Sequence, residues 1–196
     1  YSFYLLFILS LPIILEVDQI LILWLKVVPE HSSLFTVLSL ILILITSHSG
    51  PLITALLATG DIKVYQTVVG ILLILILPIS YLFLKLGYPP ETTLYVAFVI
   101  EIVALFYRLF FLKRQIKFPV VRFKNEVLNR NLIIVLLSVS LPFYIKSTME
   151  ESFSRLIIVV IVSLVWTSSV IFIVGLSKSE KSMIIKLLKK IVKIKG

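Results

Sequence analysis

Apolar positions along the 196 residues gather into six long runs, at 3–26, 34–57, 64–86, 92–114, 128–145 and 155–176. Each run has about the 20 residues that a helix rising 1.5 Å per residue needs to cross a hydrocarbon core about 30 Å thick. None shows the strict alternation of a barrel strand, so the pattern predicts helices. The junctions "VVPEHSS", "ATGDIKVYQ", "LGYPPETT", "KFPVVRFKNEVLNRN" and "KSTMEESFSR" interrupt the runs with Pro, Gly or charge, the residues that end regular structure. All are too short to hold a soluble domain. The expected fold is an all-α polytopic membrane helix bundle of six transmembrane helices over 1–176, followed by a tail over 177–196. Pro12, Pro78 and Pro142 recur in the first, third and fifth runs, which leaves open a repeat built on helix pairs or a coincidence of tolerated prolines.

Composition agrees with this picture. Hydrophobic residues make up 60% of the chain and the mean hydropathy is +1.14, against roughly 45–50% apolar content in soluble domains. Because the chain opens at Tyr1 within an apolar run, without a basic segment before it, a cleavable signal peptide is not expected and the chain reads as a piece of a longer one. With no cysteine present, disulfides and thiolate metal sites are excluded.

Charge sets an orientation. Of the 19 Lys and Arg, 15 fall on one side of the alternating spans: Lys63, then Arg108 to Arg130, then the tail. Lys26, Lys85, Lys146 and Arg155 fall on the other. The positive-inside rule makes the first side cytoplasmic, with both ends of the chain inside. The net charge of +9 is then explained by topology and anionic headgroups, so nucleic acid is not expected as a partner. In the tail, "EKSMIIKLLKKIVKIKG" puts Ile184, Leu187, Leu188, Ile191 and Ile194 on one helical face and lysines toward the other. That is the pattern of an amphipathic helix lying in the cytoplasmic interface.

Ionisable groups inside a span are costly and mark candidate functional positions. Glu101 lies nine residues into the fourth run, about 13 Å deep by helix rise, as a transport or coupling carboxylate or as a protonated hydrogen-bonding group. Arg108, two turns further on, is about 10 Å closer to the cytoplasm, near enough to snorkel and too far for a direct salt bridge to Glu101 on one straight helix. Glu16 and Asp18 follow Pro12; they either line a polar seam or approach the outer headgroups, and the length of the first run favours the headgroups. "TSHSGP" at 46–51 weakens the second helix, with His48 as a titratable or interhelical hydrogen-bonding group and Gly50 and Pro51, like Pro12 and Pro78, as hinge or packing positions. Neither His31 nor His48 has a nearby carboxylate at metal-ligand spacing, and no phosphate-binding loop appears. Passage through the membrane, rather than an enzymatic reaction, is the expected chemistry, with no cofactor and no metal.

The stretches "GPLITALLATGDIKVYQ" at 50–66 and "GLSKSEK" at 175–181, with "LPIILEVDQILILWLKVVPEHS" and "IVALFYRLFFLKRQ", resemble the C-terminal part of the polysaccharide biosynthesis, or Wzx-type, lipid-linked oligosaccharide flippases. These belong to the multidrug/oligosaccharidyl-lipid/polysaccharide exporter superfamily. The resemblance implies the last six helices of a two-lobed transporter of twelve to fourteen helices. It also implies a bacterial inner membrane location and alternating-access translocation of undecaprenyl-pyrophosphate-linked oligosaccharide for O-antigen, capsule or another surface polysaccharide. Lipid-linked oligosaccharide and membrane lipid would be its ligands, and a polysaccharide polymerase and a chain-length regulator its protein partners. The main cationic cavity residues of such relatives would precede Tyr1, leaving Glu101 as second-lobe wall or coupling machinery. A drug or cation antiporter of the same superfamily is the alternative, and a membrane-embedded polymerase or acyltransferase a more distant one.

Overall fold

A computed structural model describes residues 1–60, 62–183 and 186, and among these it contains helices, turns and no strand. The elements are α1 (Ser2–Leu15), α2 (Val17–Leu25), α3 (Ser32–Thr46), α4 (Ser49–Leu57), α5 (Lys63–Ile74), α6 (Ile76–Lys85), α7 (Thr92–Ile116), α8 (Val120–Phe123), α9 (Arg130–Thr148) and α10 (Phe153–Val170). π-helical turns lie at Lys124–Asn129 and Ile171–Gly175. Five helical stretches are long and apolar enough to cross a membrane: Ser32–Leu57, Lys63–Lys85, Thr92–Ile116, Val120–Thr148 and Phe153–Gly175. A sixth arises if the bent pair α1 and α2 counts as one span.

The side chains facing outward are apolar, which is consistent with a multi-pass membrane protein. Ile74, Leu77, Phe106 and Leu136 are each more than 60% exposed, whereas a water-soluble surface rarely carries such apolar area in continuous patches.

Proline acts differently in the four helices that contain it. Pro cannot donate to the carbonyl four residues back and clashes with it. Pro51 and Pro78 stand in the first turn of α4 and α6, and the chain breaks one turn upstream of each, at residues 47–48 and at Leu75. Pro12 and Pro142 lie inside continuous helices. The first span bends by 80° at Glu16, one turn after Pro12, so the straight helix expected over 3–26 is two segments. The prolines therefore do not mark three equivalent helix pairs.

Two compact units divide the chain, Tyr1–Phe123 and Lys124–Gly196. Within the first, α7 is the central element, packed by α3, α4, α5 and α6. Its inner face meets a cluster of Leu52, Leu56, Tyr65, Val69, Leu109 and Leu112. Within the second, α9 packs on α10 through small side chains: Ser138, Ser163 and Thr167 have no exposed surface. Small residues let membrane helices approach closely where no hydrophobic driving force separates helix from lipid. The Trp166 indole of α10 donates to the Leu137 carbonyl of α9 at 2.9 Å, and Arg130 donates to the Val174 carbonyl at 2.8 Å, satisfying an orphan acceptor at a helix end.

After Gly175 a new helix begins, covering 178–183 among the described residues. Ser177 and Glu180 form its capping box: the Ser177 amide donates to Glu180 Oε2 at 2.7 Å and the Glu180 amide to Ser177 Oγ at 3.4 Å. Most of the amphipathic tail expected over 177–196 lies outside the described residues.

Candidate functional site

Glu101 and Arg108 sit two turns apart on α7 and, with 3.6 residues per turn, share a face that points into the first unit. Their exposures are 6% and 4%. Contrary to the expectation from backbone rise, the two pair directly: Arg108 Nη1 donates to Glu101 Oε1 at 2.7 Å. Rise alone misleads because helical side chains lean toward the N-terminus, and the long arginine stem reaches back along the helix toward the carboxylate. Arg108 is buried beside Glu101 instead of snorkelling outward.

Two neighbouring helices complete the site. Ser49, the first residue of α4, donates its hydroxyl to Glu101 Oε1 at 3.0 Å and accepts from Arg108 Nη1 at 2.9 Å. Tyr65 of α5 accepts from Arg108 Nε at 3.2 Å. Ser49 is available because the helix breaks at 47–48, which restarts α4 with a short hydroxyl side chain facing α7. Tyr65 is placed by its apolar ring, buried in the Leu52–Leu112 cluster and 6.0 Å from the Phe111 ring. The result is a buried network of four side chains from three helices that pairs one acidic with one basic group. Taking two charges out of water costs several kcal/mol per ion, and only good geometry with extra hydrogen bonds offsets it; this network supplies both.

Other expected positions lie elsewhere. Glu16 is 1% exposed at the α1–α2 bend, so the headgroup placement fails for it, while Asp18 is exposed. A carboxylate at the bend turns inward because the helix axis changes there. His48, in the break between α3 and α4, has its Nδ1 3.1 Å from the Leu44 carbonyl and 3.3 Å from that of Ile45, carbonyls that the break frees in the last turn of α3, and its ring is 4.8 Å from that of Phe3 in α1. A Cβ at Gly50 would meet nothing within 4 Å, so no close helix approach requires that glycine.

A second polar contact was not legible in the sequence. His31 Nδ1 contacts Glu91 Oε1, joining the loop before α3 to the loop before α7, 60 residues away. His31 takes a left-handed φ of 68°, a conformation a non-glycine residue adopts at a cost of about 1–3 kcal/mol. Sequence spacing offers His31 no nearby carboxylate as a metal-ligand partner; the packing of α3 on α7 brings Glu91 to it from 60 residues away. Among the described residues no group of three or more His, Cys, Asp or Glu is placed to hold a metal ion.

Comparison with protein-family models, with curated proteins and with solved structures gives no match to this chain.

Proposed function

We propose that this chain forms the C-terminal six helices of a bacterial inner-membrane transporter that flips undecaprenyl-pyrophosphate-linked oligosaccharide by alternating access. The sequence resemblance supports the substrate class. The observation that carries the transport reading is the buried Glu101–Arg108–Ser49–Tyr65 network in apolar helices, since ionisable groups kept at such depth characterise coupling and substrate pathways.

Alternating access requires parts that move as blocks about points of weakness. The network ties α4, α5 and α7 into one such block, and the breaks at 47–48 and Leu75 lie on its borders. Protonation of Glu101 would remove the negative partner of Arg108 and weaken the tie, so proton arrival and block movement would be linked at one carboxylate. The reaction is passage, with no bond made or broken in the substrate.

The test is surface-polysaccharide export in cells that depend on the full-length protein. Glu101→Gln and Arg108→Met, each expressed at the normal level, are expected to reduce export about tenfold or more, as loss of about 1.4 kcal/mol at a rate-limiting step would. Normal export with both removes the coupling role. Retained export of a cationic drug with no polysaccharide phenotype would favour the antiporter reading.

A further inference from the structure

We propose that the groove between α6 and α7 binds one hydrocarbon chain of a membrane phospholipid, held in the leaflet next to the α6–α7 turn. The inference requires these helices to lie in a bilayer and is independent of the flippase proposal.

The groove has a volume of about 540 Å³, within the range of about 300–1,000 Å³ typical of small-molecule sites. Its lip is built by the local sequence "FLKLGYPP". Gly87, at φ +86°, ends α6; the Gly87 amide donates to the Leu84 carbonyl at 3.0 Å and the Tyr88 amide to the Phe83 carbonyl at 3.1 Å. These are the two bonds of a Schellman motif, and its accompanying apolar contact is present as the Phe83–Tyr88 ring pair, 5.3 Å apart and edge to face. The lip is therefore fixed before anything binds.

The lining of the groove is almost wholly apolar: Tyr88, Thr92 and Tyr95 stand at the turn end, and the wall beyond them is Ile79, Val99 and Ile100. From Thr92 to Ile100 the wall descends about 12 Å along α7. A lining without polar surface matches a hydrocarbon chain, and tyrosines at its turn end are the usual interfacial anchors.

The composition of the walls also separates a lipid chain from a packed helix. Helix partners in membranes meet at small residues, as Ser138, Ser163 and Thr167 do between α9 and α10. No Gly, Ala or Ser lines the α6–α7 groove. Branched and aromatic walls leave a channel that a thin, flexible chain fills and a helical backbone cannot enter closely.

The experiment reconstitutes the full-length protein with a phosphatidylglycerol that carries a diazirine in one acyl chain, followed by photolysis and peptide mass spectrometry. Lipid adducts are expected to concentrate on residues 79–100. Val99→Trp, which fills the groove from its exposed edge, is expected to lower that yield about tenfold, because shutting out the chain end loses the burial of about two methylenes. Val103→Trp, one turn along α7 and outside the groove, is expected to leave it unchanged. Adducts spread evenly over all lipid-facing helices, adducts missing from residues 79–100 because another helix or a second copy fills the groove, or equal yields in the two variants would each overturn the proposal.

Discussion

Glu101 illustrates how one buried charge depends on its neighbours. Its carboxylate is satisfied by Arg108 and Ser49, so removing either charge alone strands the other in an apolar interior. Glu101→Ala is expected to destabilise the protein by about 3–5 kcal/mol, the usual cost of breaking a buried pair. Arg108→Met should cost a similar amount. The double variant Glu101→Ala, Arg108→Met leaves no buried charge to desolvate, and its loss should fall well short of the sum of the two single losses. Thermal unfolding of the detergent-solubilised protein checks this: additivity of the two losses would show that the pair is not coupled. That Glu101 faces inward was legible from its position in an apolar run. Its partner was not, because helix rise measures the backbone, whereas contact is decided by side-chain reach and by Ser49 and Tyr65, which sequence distance separates from it.

At the scale of elements, the chain signals ends more clearly than bends. "LKLGYPP" announces the end of α6 with a glycine followed by prolines, and the structure places Gly87 at φ +86°. A Cβ there would touch nothing within 4 Å, so the whole effect of Gly87→Ala is conformational, a loss of about 1–2 kcal/mol for left-handed backbone. Gly70, inside α5 and equally uncrowded, is the matched control: Gly70→Ala should stabilise by about 0.5–1 kcal/mol because alanine loses less freedom on folding. Melting temperatures moving in opposite directions for the two variants would confirm this; a fall for both would mean that α5 needs its glycine for contacts not captured by local geometry. The capping box in "GLSKSEK" was likewise visible as Ser followed three positions later by Glu. The 80° bend at Glu16 was not, since Pro12, the local helix breaker, sits a full turn before it inside an uninterrupted helix.

For the molecule as a whole, five of the six apolar runs correspond to helical stretches long and apolar enough to cross a membrane among the described residues, and the first to the bent pair α1 and α2. Hydropathy reads this directly because it depends on residue type alone. How the runs group was not legible: the division at Phe123–Lys124 falls in a basic segment that composition marks only as a junction. The charge asymmetry makes a sharper statement, and the absence of native cysteine makes it easy to test. Single cysteines at Glu30 and Glu150, both exposed, should react with an impermeant maleimide added outside intact cells. Cysteines at Lys124 and Ser179, also exposed, should react only after permeabilisation. The expectation follows from the energetics of insertion, where each intracellular Lys or Arg near an anionic leaflet contributes about 1 kcal/mol. With 15 of 19 such residues on one side, inversion would need those favourable terms to be forgone together. Labelling of Ser179 from outside while Lys124 stays protected would show that an odd number of spans separates the two, and would require Phe153–Gly175 or Val120–Thr148 to enter the membrane without crossing it; labelling of both from outside would show that the orientation is inverted.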